Sequence, residues 1–322
     1  MKTNESSPFH LLEHPMNEWN IVEKHVIVTG ASDGIGRETA FQLFCKGAHV
    51  GLVGRNPDKT NRVADEFQKK RLELMCAWTP QGQQTSPVES SQVQAARPDV
   101  FIADLSRCAE VKRLAIDIKS RWPHVDVLIN NAGGYFEKRL MTVDGFEQTF
   151  ALNHLSYFLL AYHLTPSLQS RPEARIINVS SKAHRGISIA WDDLQSLQKY
   201  NGVKAYQRSK LANILFSNAL ARRLAGSMIA VNSLHPGFVA SKFGHNNSGL
   251  SSTLLRWVQM FARSEAKGAE TPLYLAESAR LTGISGQYFA DCKSKRPAAY
   301  ALDTDVQDRL WKETEKLLVP WL

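Results

Sequence analysis

From residue 24 onward, short β-branched and aliphatic runs alternate with longer segments whose apolar positions recur every three or four residues. Strands are predicted at His25–Thr29, His49–Val53, Asp99–Ala103, Val125–Asn130, Arg175–Ser180, Ile229–Leu234 and Gly286–Phe289. Helices are predicted between most of them, at Arg37–Lys46, Asp58–Arg71, Ala109–Arg121, Gly145–Leu164 and Ala205–Leu224. Strand and helix in alternation give a parallel sheet with helices on both faces. The inner runs VIVTG, VLIN and RIINVS are apolar almost throughout, as strands covered on both faces should be. The pattern predicts one doubly wound α/β domain over residues 24–322, with about seven strands.

Three stretches fall outside this rhythm. Residues 1–23 are polar and irregular and read as an N-terminal extension. Thr79–Pro98 is rich in Gln, Ser and Pro and reads as an exposed loop insertion. Residues 238–266 carry Phe238, Phe243, Leu254, Leu255, Trp257, Met260 and Phe261. That segment suits an apolar lid over a bulky substrate, and equally a segment packed on the core.

Composition narrows the partners. The chain is 43% hydrophobic and 22% charged, ordinary for a globular protein. Its net charge of +8 is spread along the sequence. The tightest basic cluster, Lys69-Lys70-Arg71, lies in a predicted helix and reads as a solvated face, so nucleic acid is not an expected partner. A phosphate-bearing ligand would use part of this charge. Cys45, Cys76, Cys108 and Cys292 are far apart and lack metal-site spacing. Reduced thiols, a cytoplasmic location and no metal are expected. No apolar run approaches the ~18 residues of a membrane span. The most apolar stretch, Leu254–Phe261, leaves peripheral lipid contact open.

The chemistry begins where the first strand ends. Thr29-Gly30-Ala31-Ser32-Asp33-Gly34-Ile35-Gly36 leads straight into a helix. Glycines there let the backbone turn tightly and approach a pyrophosphate, and the helix N-terminus adds N–H donors. Gly30, Ser32, Gly34, Ile35 and Gly36 are the candidate cradle, and the domain is then of Rossmann type. The second strand ends Leu52-Val53-Gly54-Arg55, without the acid that binds a ribose 2′-hydroxyl in NAD proteins. Arg55 matches a 2′-phosphate instead, so NADP(H) is the expected cofactor. Arg37 is placed to add to that charge.

Tyr206 and Lys210 are four residues apart in a predicted helix and so share a face. A neighbouring ammonium is expected to lower the phenol pKa and fit it to move a proton as hydride moves. Ser181 follows the strand Arg175–Ser180, where ligands bind in open α/β sheets, and its hydroxyl can hold a substrate oxygen. The plainer use of a serine pair there is a helix cap. Asn131, Ala132 and Gly133 follow another apolar strand and suit close cofactor approach. Asn153 is a polar residue in an apolar helix and needs a partner. Pro236, Gly237, Phe238 and Val239 end the sixth strand in a turn that can pass along a nicotinamide.

Taken together, TGASDGIG, NNAG, the Asn153 helix, VSS, YQRSK and HPGFV resemble the short-chain dehydrogenase/reductase family, in the family's order. The resemblance covers roughly residues 24–320. It implies that Asn153, Ser181, Tyr206 and Lys210 form a catalytic tetrad, with Tyr206 as general acid/base and Lys210 holding the nicotinamide ribose. It implies that Asp104, beside Leu105, binds the adenine amino group, and that Asn131 lies by the adenine ribose. The long gap between Ser181 and Tyr206, SKLANILF, KGAETPLYLA and GQYFADC resemble the retinol dehydrogenase and WW-domain-oxidoreductase branch. That branch implies interconversion of an aldehyde or ketone and an alcohol on an apolar, retinal-, steroid- or lipid-like substrate. Tyr135, Phe136 and Phe238 are candidates for the pocket wall. A homo-oligomer is compatible with the family. Two rivals stand beside this reading: a non-catalytic NADPH-binding regulator, and an epimerase-like enzyme on sugar nucleotides. The intact tetrad speaks against the first, and NNAG with a short chain after Tyr206 against the second.

Overall fold

The computed structural model describes residues 19–78, 97–237 and 264–322. Its strands are β1 (His25–Thr29), β2 (His49–Gly54), β3 (Asp99–Ile102), β4 (Val127–Asn130), β5 (Ala174–Val179), β6 (Ile229–His235), β7 (Tyr288–Ala290) and β8 (Lys293–Lys295). They form one sheet in the order β3-β2-β1-β4-β5-β6-β7-β8. Every neighbouring pair from β3 to β7 is parallel. The order reverses between β1 and β4, and the crevice beyond their C-terminal ends is where open sheets of this kind bind ligands.

The helices are α1 (Gly34–Cys45), α2 (Pro57–Trp78), α3 (Cys108–Arg121), α4 (Ser156–Gln169), α5 (Gly202–Arg223), α6 (Glu265–Glu277) and α7 (Thr304–Leu318). Two apolar layers cover the sheet. Phe101, Leu114, Phe158, Leu160 and Phe216 belong to one, and Leu43, Phe44, Phe67, Leu273 and Phe289 to the other. Both layers are closed because the central strands are buried at every position, β4 and β5 throughout.

Several boundaries differ from the sequence pattern for local reasons. The sheet has an eighth strand: β8 turns back antiparallel to β7 through Asp291 and Cys292, both at positive φ. All three β8 residues are exposed, and its two lysines keep this edge from pairing further. The helix predicted from Gly145 starts at Gln148. Gly145 has a φ of +80° and belongs to a turn, and the Glu147 carboxylate accepts the Thr149 and Phe150 N–H groups at 2.8 Å each. The helical turn then widens to π geometry over Ala151–Leu155 before α4 begins.

Packing also begins before Lys24. Trp19 and Ile21 are buried, the Trp19 indole donates to the Ala276 carbonyl at 2.8 Å, and the Arg175 guanidinium lies 3.9 Å over its ring. Most of the Thr79–Pro98 stretch lies outside the described residues; Arg97, near its end, binds Asp65 and Asn61 on α2. Residues 238–263 of the expected lid also lie outside them. Its last residues are helix, because Ser264 caps α6 through the Lys267 N–H. Among the described residues no helix is long and apolar enough to cross a membrane.

Candidate active site

The glycine turn is held in place by side chains on both flanks. Gly30 and Gly34 have φ of +68° and +54°, conformations that favour glycine. Asp33 caps α1 by accepting the Gly34 N–H at 2.9 Å, and Lys59 pairs with its other oxygen at 2.5 Å. A Cβ on Gly36 would lie 2.3 Å from Asn131 Nδ2 and 2.5 Å from the Gly30 carbonyl, so only glycine fits. Asn131 Nδ2 donates to the Thr29 carbonyl, and Thr29 Oγ1 accepts the N–H groups of Asn131 and Ala132 at 2.8 and 3.0 Å. Thr29 thus ties the turn after β4 to the turn after β1. The sequence reading gave it no role, although a hydroxyl ending an apolar strand just before a glycine was the available signal.

Around this turn the other candidates separate. Ser32 and Ile35 are partly exposed at the start of α1, and Arg55 is exposed just past β2. Arg37 pairs with Glu66 on α2, its guanidinium 2.6 Å from the carboxylate, a contact built by the neighbouring helix. Asp104 is oriented by Ser106, whose N–H and hydroxyl both bond Oδ1, and Leu105 is buried beside it. Residues 131–133 border both parts of the site, since a Gly133 Cβ would be 3.1 Å from Asn153 Oδ1 and 3.3 Å from Lys210 Nζ.

Asn153 lies in the π turn and is fully buried. Its side chain accepts the Gly134 N–H at 2.8 Å, donates back to the Gly134 carbonyl at 3.0 Å, and donates to Ser209 Oγ at 2.9 Å. A widened turn is a frequent device for aiming a functional side chain out of a regular helix. No sequence motif marks Ser209 as that partner. Ser209 donates in turn to the Tyr206 carbonyl at 2.8 Å, joining Asn153 to α5.

On α5, capped by Asn201, Tyr206 and Lys210 share a face. Lys210 Nζ is 5.8 Å from the centre of the Tyr206 ring and donates to the Val179 carbonyl at 3.0 Å. This revises the expected electrostatics. Burial pushes the Tyr206 phenol up to about 12, with a Ser181 hydrogen bond pulling the other way. Burial lowers the Lys210 ammonium to about 7. The lysine heads toward the end of β5, and loss of water outweighs its effect on the phenol.

Ser181 has both of the uses considered for it. Its Oγ accepts the Ala183 N–H at 3.1 Å, capping the 3₁₀ turn Lys182–His184, which leaves the hydroxyl proton free for Tyr206. Ser180 is structural and donates to the Lys210 carbonyl at 2.6 Å. The buried His184 accepts the Ala298 N–H at Nε2, so its Nδ1–H donates to the Ser181 carbonyl at 2.6 Å and fixes that residue's backbone. Tyr135 meets the Tyr206 ring edge-on with centroids 6.4 Å apart, and Phe136 is buried beside it. Pro236 and Gly237 follow β6, with Gly237 at a φ of +91°. Phe238 and Val239 lie outside the described residues. The structure therefore gathers Asn153, Ser181, Tyr206 and Lys210 at the C-terminal ends of β4 and β5, next to the glycine turn.

Comparison with known proteins shows the family and the fold. The family profile described as "short chain dehydrogenase" matches residues 24–86 and 81–249. Retinol dehydrogenase 14 of Homo sapiens is 38% identical over 301 residues, covering 92% of this chain and 86% of that relative. Retinol dehydrogenase 13 of Homo sapiens is 36% identical over 301 residues, covering 92% and 84%. Among solved structures, an uncharacterized protein from Mycobacterium Paratuberculosis superposes with a TM-score of 0.69 at 28% identity, covering 94% of this chain and 95% of its own. A short chain dehydrogenase from Shigella flexneri, complexed with NADP, has the same fold, with a TM-score of 0.61 at 22% identity and coverage of 85% and 98%. Sequence, sheet order and the gathered side chains thus converge, and the chain belongs to the short-chain dehydrogenase/reductase family of oxidoreductases, in its retinol dehydrogenase-like branch.

Proposed function

We propose that this protein interconverts an aldehyde or ketone and its alcohol, with NADP(H) as hydride carrier and Tyr206 as proton donor and acceptor. The observation that carries the proposal is the meeting of Tyr206, Ser181, Lys210 and Asn153 beside a turn in which Gly36 admits no Cβ. A turn of that kind, at the N-terminus of α1, fits a dinucleotide pyrophosphate. Residues 30–36, Asp104 and residues 131–133 would hold the cofactor, and Arg55 is the cation that suits a 2′-phosphate. When bound, the nicotinamide supplies or accepts the hydride.

The chain's own residues handle the proton. With a pKa near 12, the Tyr206 phenol keeps its proton at neutral pH and can give it to a carbonyl oxygen as that oxygen gains charge. Ser181 Oγ accepts the Ala183 N–H, and its hydroxyl proton, directed at Tyr206, can turn to the same oxygen. Lys210 is anchored on Val179 beneath the Tyr206 ring, where an ammonium stabilises negative charge left on the phenol. Asn153 positions Gly134 and α5 and so holds the distance between the two halves of the site. An apolar substrate is supported by Tyr135, whose ring meets Tyr206 edge-on, and by relatives named as retinol dehydrogenases.

The test is NADPH consumption against carbonyls from small aromatic aldehydes to retinal and steroid ketones, with Tyr206→Phe alongside. Turnover in the parent that disappears in Tyr206→Phe, with NADPH binding changed by less than about threefold, is expected. Full turnover in Tyr206→Phe would remove Tyr206 from the chemistry.

A further inference from the structure

The N-terminal edge of the sheet, at the opposite end of β1 from the glycine turn, carries a cluster of side chains that hydride transfer does not use. Asp126, just before β4, is fully buried. Its Oδ1 accepts from Arg171 Nε at 2.7 Å and lies 3.7 Å from Lys24 Nζ. Its Oδ2 accepts the backbone N–H of His25 at 2.9 Å. The same oxygen faces two imidazoles, with His124 Nε2 at 3.5 Å and His25 Nδ1 at 3.8 Å. These separations exceed those of ordinary N–H···O bonds. His25 Nδ1 is buried and has no hydrogen-bond partner.

A carboxylate oxygen facing two ring nitrogens without bonding either is poor hydrogen-bond design but sound ligand geometry. Around a four-coordinate zinc ion with bonds of ~2.0–2.1 Å, neighbouring ligand atoms lie about 3.3–3.4 Å apart. The three atoms all fall within 4.8 Å of one another, so a small inward movement closes the set. We infer that His25 Nδ1, His124 Nε2 and Asp126 Oδ2 form a zinc-binding site joining the starts of β1 and β4, with water completing the shell.

The surroundings select the kind of ion. Lys24 and Arg171 repel any cation, so one drawn by charge alone, such as magnesium, is disfavoured. An ion that bonds to neutral imidazole nitrogen overcomes that repulsion, which selects zinc and its neighbours over hard cations. The outer contacts are already in place. Arg171 and the His25 N–H orient the carboxylate, and His49 stacks on His25 with centroids 4.9 Å apart while its Nε2 bonds Glu23 at 2.7 Å. An ion bound only by the folded chain stabilises it.

The experiment uses the untagged full chain, stripped with chelator and titrated with zinc chloride by calorimetry at pH 7.5. One saturable equivalent is expected, with Tm raised by about 5 °C at a hundredfold excess over Kd. His124→Ala, a partly exposed residue at the start of the cluster, should weaken binding at least tenfold, by order of magnitude, and remove the Tm shift. Cobalt substituted at the site should show d–d bands without thiolate charge transfer, and magnesium should not compete. No saturable zinc binding, equal binding by His124→Ala, a thiolate band from cysteine ligation, or equal magnesium affinity would each overturn the assignment.

Discussion

Lys210 donates its ammonium proton to the carbonyl oxygen of Val179 at 3.0 Å, so the side chain meant to act on Tyr206 is anchored on the end of β5. The bond supplies one acceptor for a group that is 3% exposed and whose charged form burial disfavours. A buried ammonium of this kind serves function more than stability.

Lys210→Met should therefore separate the two. Reductase turnover should fall roughly 10²–10⁴-fold, the usual range for a proton-transfer partner. Thermal stability at pH 8 should stay level or rise, because an apolar side chain of similar length needs no solvation. The pH dependence gives the sign. Between about pH 7 and 10.5 the unfolded chain binds a proton at Lys210 that the folded chain has lost, so parent stability rises with pH there. Urea midpoints of parent and variant should diverge across that window by up to ~1.4 kcal/mol per unit. Parallel curves would show that Lys210 stays charged throughout.

Asn153 and Ser209 supply a graded test of how the two halves of the site are joined. Ser209→Ala removes one acceptor from a buried amide and should cost about 1–2 kcal/mol. Asn153→Leu also strands the Gly134 N–H and carbonyl, and should cost more, about 2–4 kcal/mol. Turnover should follow the same order in chemical-denaturation and rate measurements. A Ser209→Ala variant that loses more activity than Asn153→Leu would make Ser209 the functional residue.

The fold was legible because its strands are buried on both faces and its helices are periodic. VLIN and RIINVS admit little else once alternating helices are given. Gly30, Gly34 and Gly36 were legible because their backbone and space requirements leave no alternative residue. What could not be read were contacts that depend on the third dimension. Thr29 binds across 102 and 103 positions, and Asn153 reaches Ser209 across 56. The π turn at Ala151–Leu155 keeps a helical hydrophobic pattern, so periodicity cannot reveal it. The i, i+4 rule placed Tyr206 and Lys210 on one face but could not say that Nζ would find Val179 first. The same rule is silent on Glu66, which engages Arg37 across the groove between α1 and α2.

Arg55 offers a clean substitution because it is exposed past β2 while Arg37 is occupied by Glu66. Arg55→Asp replaces a phosphate-matching fork with an acid suited to a ribose 2′-hydroxyl. The ratio of kcat/KM for NADPH over NADH should fall by at least about tenfold, equivalent to ~1.4 kcal/mol. An unchanged ratio would place the 2′-phosphate determinant elsewhere, with Lys59 beside Asp33 the next residue to substitute.

Acid sensitivity should trace in part to His154, the residue after Asn153. It is fully buried against Phe150 and Phe216, and its Nε2 is 3.0 Å from Thr314 Oγ1 on α7. Burial lowers its pKa to about 3, with Asn213 pulling the other way. Below pH 6.5 the unfolded chain takes up a proton here that the folded chain refuses, so this contribution is whole above 6.5 and drains away as pH falls toward 3. His154→Leu removes the titration and leaves Thr314 without its partner. At pH 7.5 the variant should be less stable by about 1–2 kcal/mol. That gap should narrow by up to ~1.4 kcal/mol for each unit below 6.5 and close near pH 5. His25, His124, His163 and His184 are also held low by burial, but both proteins contain them, so they cancel in the difference. Urea unfolding of the pair from pH 7.5 to 5 measures it, and a gap constant across that range would assign the acid sensitivity to the other histidines.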